Sequence, residues 1–159
     1  MKPGDTLDMT GGPWGDFVLP KDAKIPLTFI AGGIGVTPMR SMVKWLSDQD
    51  EKRDITLLYA VNNLDEVVFE EIFTNFGIEP QYIVGTPSAD WQGESGRLNG
   101  QKILELSPDN GKRLYFISGP EPMVVALADQ LKKLGIPESR VVIDDFLGYD
   151  TDAQSLFQS

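Results

Sequence analysis

Three glycines fall within four positions at Gly32-Gly33-Ile34-Gly35, and Val36-Thr37-Pro38-Met39 follows directly. Such a run removes side chains from a turn and lets a ligand approach the main chain. Thr37 suits an N-cap and Pro38 suits the first position of a helix. A helix starting there aims its free N–H groups and the positive end of its dipole into the glycine turn, an arrangement that binds phosphate. Arg40, placed in the first helical turn, adds a charged hydrogen-bond donor. The spacing is neither G-x-G-x-x-G nor G-x-x-x-x-G-K-[ST], so the turn indicates a phosphate-bearing ligand without naming it. The plainer alternative is a tight turn that needs glycine only to fit.

Other chemistries lose their tools. The 159 residues contain no cysteine and no histidine. Disulfides, cysteine-ligated zinc, cysteine-held iron–sulfur clusters, Ser-His-Asp hydrolysis and histidine-ligated metals are excluded within this chain. Lys and Arg number 14 against 24 Asp and Glu, for a net charge of −10. That balance argues against nucleic acid or an anionic membrane as a partner. The longest apolar stretch, Ile55 to Val61, is far too short to span a bilayer. No apolar signal-peptide core stands at the N-terminus, so a cytoplasmic location is the expectation.

The elements that position the glycine turn follow a regular alternation. Apolar runs at residues 27–31, 54–61, 81–84, 114–118 and 140–143 read as buried strands. Helical spacing appears at Met39, Met42, Val43 and Leu46, then from Val67 to Phe76 before Gly77, around Ile103-Leu104, and from Met123 to Leu134 before Gly135. Residues 85–96 read as a polar loop. Strand–helix alternation with unbroken apolar strands predicts an α/β fold: a three-layer, doubly wound, five-stranded parallel sheet. Ligands in such folds bind at the carboxyl ends of the strands, near a topological switch point.

Several segments, in order, resemble the ferredoxin–NADP reductase superfamily. Gly32 to Met39 is similar to its G-G-x-G-x-[ST]-P element, and Tyr59-Ala60 to the next one. Trp91-Gln92-Gly93-Glu94-Ser95-Gly96-Arg97-Leu98 resembles W-x-G-x-x-G-R-[IL]. Ser118-Gly119-Pro120-Glu121-Pro122-Met123-Val124 resembles [CS]-G-P-x-x-M-[VI]. Phe146-Leu147-Gly148-Tyr149 resembles the aromatic end of many members. Each match alone is weak, whereas the ordered set is specific.

The resemblance implies that residues 1–20 are the C-terminal remnant of a flavin-binding β-barrel, 21–149 the NAD(P)-binding domain and 150–159 a polar tail. Trp14 and Phe17 are then expected to touch the domain core. The barrel's R-x-Y-[ST] flavin motif is absent, so FAD is expected from a neighbouring domain of a longer protein. Gly32, Gly33, Gly35, Thr37 and Pro38 would hold the pyrophosphate. Asn62 and Asn63 would meet the adenosine ribose, while Asp65 and Glu66 favour NADH over NADPH by repelling a 2′-phosphate. NADPH stays possible, since these carboxylates also suit the start of a helix.

Ser118, Gly119 and Pro120 would border the nicotinamide. Many relatives carry cysteine where Ser118 stands, and the alternative for this serine is a helix cap. Ser118 and Tyr149 are the candidate catalytic residues, and Tyr149 either stacks on a ring or packs. Trp91, Arg97 and the pair Asp144-Asp145 each have a structural alternative: loop packing, carbonyl bonds and a solvated surface. The implied function is an NAD(P)H-dependent flavin oxidoreductase domain feeding a ferredoxin, haem, iron–sulfur or oxygenase acceptor. Its rivals are a non-catalytic dinucleotide-binding or regulatory module, and a response-regulator-like or flavodoxin-like domain.

Overall fold

The computed structural model describes residues 15–109 and 111–146, together with residues 2, 4 and 6. Its elements alternate along the chain. They run β1 (Leu27–Gly32), α1 (Val36–Asp48), β2 (Ile55–Val61), α2 (Glu70–Phe76) and β3 (Gln81–Val84). Then come β4 (Glu94–Ser95), α3 (Gly100–Leu106), β5 (Leu114–Pro120), α4 (Glu121–Lys133) and β6 (Val141–Phe146). The strands form one parallel sheet in the order β4-β3-β2-β1-β5-β6.

All six residues of β1 are buried. Central position explains this: β2 and β5 flank it, and both faces are covered. Leu27, Phe29, Tyr59 and Phe116 pack with Val36, Met39 and Val43 of α1 and Phe73 of α2. Ile30, Leu58, Tyr115 and Ile117 pack on the opposite face, with Ile103 of α3 and Leu127 and Leu131 of α4. Each of these side chains contributes about 1.5–3 kcal/mol by leaving water. The expected three-layer architecture is present.

The sheet has six strands rather than five. The extra one, β4, lies in the segment read from sequence as a polar loop. A two-residue strand carries no hydrophobic period. It is fixed instead by its surroundings: the Trp91 indole N–H donates to the Glu94 carbonyl at 3.0 Å, and Lys102 pairs with the Glu94 carboxylate.

Two helix starts also differ. A 3-10 turn, Gly33–Gly35, runs straight into α1, with Gly35 already helical at φ −58° and ψ −8°. Thr37 and Pro38 are therefore inside the helix, and the Thr37 hydroxyl donates to the Ile34 carbonyl at 3.0 Å instead of capping. The second helix begins at Glu70, not Val67, because Phe69 is left-handed at φ 63° and breaks any earlier helical run.

The N-terminal segment lies against the core. Phe17 meets Phe116 edge-on at 5.1 Å, and Arg53, almost wholly buried, donates to the Pro20 carbonyl at 2.8 Å. Trp14 is outside the described residues. Among the described residues no helix is long and apolar enough to cross a membrane.

Arg113 sits at the amino-terminal edge of the sheet and is fully buried. Its guanidinium donates twice to the Leu27 carbonyl, at 3.2 and 2.7 Å, and clasps the Asp54 carboxylate at 2.6 and 3.2 Å. It thereby ties the starts of β1, β2 and β5 together.

Candidate functional site

The strand order places the switch point between β1 and β5. The chain winds outward from β1 through β2 and β3 to β4, then crosses back to the other side of β1. The turns leaving β1 and β5 therefore meet at the carboxyl edge, where open parallel sheets bind ligands.

The glycines divide the work at this junction. A Cβ on Gly35 would stand 2.1 Å from the Ser118 carbonyl oxygen and 2.7 Å from the Gly119 nitrogen. Only glycine lets the first helical turn touch the end of β5 this closely. Gly33 has the opposite surroundings. It is left-handed at φ 52°, and a Cβ there would meet nothing within 4 Å. The main chain at Gly33 thus faces open space while its neighbour Gly35 is packed tight. Gly32 and Gly119 close the floor, and the buried Met123 side chain lies across both.

The result is a cradle of bare backbone. The first N–H groups of a helix have no partner one turn back and are available to an anion. A pyrophosphate fits this arrangement, because what it requires is main-chain donors with no side chain in front. Thr37 and Pro38 border the cradle from within the helix, although neither acts as expected at its cap.

Asn62 and Asn63 follow the carboxyl end of β2, one strand away. Both are held rather than free. The Glu66 carboxylate accepts from the Asn62 backbone N–H at 3.1 Å and from the Asn63 side-chain amide at 3.4 Å. The Asn62 side-chain oxygen accepts the Thr86 hydroxyl at 3.2 Å. A fixed carboxylate therefore stands in the turn assigned to the ribose.

Ser118 is fully buried, and its hydroxyl donates to Asp144 at 3.4 Å. The two are register partners across β5 and β6. The helix-cap alternative fails, since Pro120 occupies the N-cap of α4 without a side-chain bond. Asp144 is thus engaged, whereas Asp145 is exposed. Trp91 is a loop-packing residue: a Cβ on Gly93 would stand 2.3 Å from its ring. Tyr149 lies outside the described residues.

Phe69 is the feature that sequence reading missed. The residue is 41% exposed, and Arg40 lies over its ring with the guanidinium carbon 5.5 Å from the ring centre. Arg40 thus packs on the segment that follows β2. Left-handed phenylalanine has no sequence signature, and only the doublet Glu70-Glu71 hinted at a later helix start.

Against known proteins, the family described as oxidoreductase NAD-binding domain matches residues 29–129. The chain belongs to this family. The matched span of the NAD-binding domain contains the cradle, both turns and most of α4. A curated relative is a subunit of the Na(+)-translocating NADH-quinone reductase of Serratia proteamaculans, 30% identical over 93% of this chain and 39% of that protein. The chain thus spans about two fifths of the length of the curated relatives it matches.

Among solved structures, one neighbour is the flavohem-like FAD/NAD-binding domain of nitric oxide dioxygenase from Vibrio cholerae. It has a TM-score of 0.69 and 27% identity, over 84% of this chain and 56% of that one. Another is the cytochrome b5 reductase domain of Ulva prolifera nitrate reductase. Its TM-score is 0.64 and its identity 25%, over 76% of this chain and 49% of that one.

Proposed function

We propose that this chain holds the dinucleotide in an NAD(P)H-dependent flavin oxidoreductase and presents the nicotinamide to an FAD carried by a separate barrel domain. The observation that carries the reading is the backbone cradle at the β1–β5 junction, open at Gly33 and closed at Gly35. One neighbour's name supports the flavin half, an FAD/NAD-binding domain of nitric oxide dioxygenase, and the names of an NADH-quinone reductase subunit and a cytochrome b5 reductase domain support the reductase reading.

In this reading the main-chain N–H groups of Gly33 to Gly35 bind the pyrophosphate, with Thr37 and Pro38 shaping its border. Asn63 and Asn62 meet the ribose, and Glu66 disfavours a 2′-phosphate, which makes NADH the preferred ligand. The exposed face of Phe69 takes the adenine. Ser118, Gly119 and Pro120 border the nicotinamide, with the Ser118 hydroxyl bonded to Asp144. Tyr149 remains a candidate stacking residue.

Hydride transfer belongs to the nicotinamide and the flavin; the chain binds, orients and excludes water. Residues 1–20 are the remnant of the barrel in this reading, held to the core by the Arg53 bond to Pro20 and by the Phe17 ring on Phe116. A ferredoxin, haem, iron–sulfur or oxygenase component accepts the electrons, in a cytoplasmic setting. Calorimetric titration of the chain with ADP-ribose and NADH tests the core of this reading. Absence of binding by both ligands would sink it.

A further inference from the structure

Arg40 breaks two local rules. Its Nε is buried and makes no hydrogen bond to the protein, although leaving a buried donor unmet is costly. The ring it covers belongs to Phe69, a bulky residue in the left-handed region, where a side chain is strained. Neither cost is offset by full core burial, since Phe69 remains exposed. Local strain of this kind persists where the surrounding structure over-determines it, and it gathers at ligand clamps.

The surroundings do over-determine this corner. Glu66 pins the preceding turn through Asn62 and Asn63. The Tyr82 hydroxyl donates to the Glu70 carboxylate at 2.6 Å and fixes the residue after Phe69 to β3. With both ends of the segment held, the ring has one face on the Arg40 guanidinium and remains exposed elsewhere. A cation over one face of an aromatic ring is attracted by its quadrupole and also limits the ring's rotation.

We propose that Arg40 is a positioning residue for base recognition, holding the Phe69 ring so that the adenine of the dinucleotide stacks on its free face. The inference rests on the dinucleotide reading given above. It assigns Arg40 to the base rather than to the pyrophosphate, although Arg40 lies on the helix that begins at the pyrophosphate cradle.

ADP and CDP share a pyrophosphate and a ribose and differ in the base, so their affinity ratio isolates stacking. Titration of the full chain with both ligands is the test, on wild type, Arg40→Met and Arg40→Lys. Wild type is expected to prefer ADP. In Arg40→Met the ADP affinity is expected to fall about two- to fivefold, the size of an exposed or partly buried cation–π contact, with CDP little changed. Urea stability should hold or rise, because the unmet Nε is gone.

Arg40→Lys keeps the charge without the planar face and should narrow the same ratio. It also serves if the Met variant does not fold. An unchanged ADP-to-CDP ratio in both variants would overturn the proposal, and so would an equal loss for the two ligands, which would place Arg40 at the pyrophosphate. Failure of wild type to bind ADP or ADP-ribose would remove the dinucleotide reading, and this inference with it.

Discussion

Gly33 and Gly35 stand two residues apart in one turn, and alanine at each should fail in a different way. At Gly35 the new Cβ would lie 2.1 Å from the Ser118 oxygen and 2.4 Å from the Ser118 carbonyl carbon. Ordinary contact distance is greater by roughly 1 Å, and both neighbours are backbone atoms, so no side-chain rotation relieves the overlap. The first turn of α1 must separate from β5, at an overpacking cost of about 1–3 kcal/mol. At Gly33 the Cβ enters open space, so only the left-handed backbone penalty remains, about 1–2 kcal/mol. Reduced freedom of the unfolded chain returns about 0.4–1 kcal/mol of that. A melting temperature lower by only about 2–4 °C is therefore expected for Gly33→Ala. Its methyl group nevertheless stands where the pyrophosphate must approach the main chain. A loss of at least about tenfold in ADP-ribose affinity, about 1.4 kcal/mol, is expected. Thermal melts and calorimetry on the two variants provide the assay. ADP-ribose bound by Gly33→Ala within twofold of wild type would remove this turn from the site. Wild-type stability in Gly35→Ala would refute the close-packing argument.

Replacing Arg113 by methionine should cost about 2–4 kcal/mol in urea unfolding, since it leaves the Leu27 carbonyl without its donors and uncouples three strand starts; ADP-ribose affinity of the folded variant should be unchanged, and a parallel loss of binding would contradict the separation of the two sheet edges. NADH should bind more tightly than NADPH, and the gap should narrow between low and high salt, because Asp65 and Glu66 are exposed and their repulsion of a 2′-phosphate is screened; tighter NADPH binding in wild type would reverse the assignment of Glu66. The purified chain should be colourless and should not oxidise NADH with ferricyanide; stoichiometric flavin in an absorbance scan would show that the chain carries its own flavin site.

The strands that read clearly in the sequence are those buried on both faces. Leu27 to Ala31, Ile55 to Val61 and Leu114 to Ser118 are apolar because helices cover each side. β4 was not legible, since two residues held by Trp91 and Lys102 leave no pattern. The start of α2 was misplaced for a similar reason: phenylalanine in a left-handed conformation follows from the tertiary setting, not from its own preference. Thr37-Pro38 looked like a capped start because the local pattern fits one. The backbone turns helical earlier because Gly35 can press against the Ser118 end of β5, a long-range contact that leaves no trace in the local pattern. Arg113 lies in a polar stretch, and nothing in its sequence surroundings marks the full burial that the fold gives it.

What was legible at the candidate site was its bare-backbone turn, and what was not was how its glycines divide between packing and openness. The glycine run indicated a turn free of side chains, but which glycine packs and which one opens depends on where β5 lies. That dependence also bears on how the fold tolerates divergence. A cradle built from main-chain N–H groups needs an open left-handed residue at Gly33, no side chain at Gly35, and a neighbouring strand end close enough to touch. None of these conditions constrains the rest of the sequence, so a similar architecture can persist at 27% identity with a TM-score of 0.69. In the proposed reading, side chains outside the cradle set base and phosphate preference. The departures from local rules at Phe69, Arg40 and the Glu66-bound turn lie there, on the β2 side, rather than in the glycine turn itself.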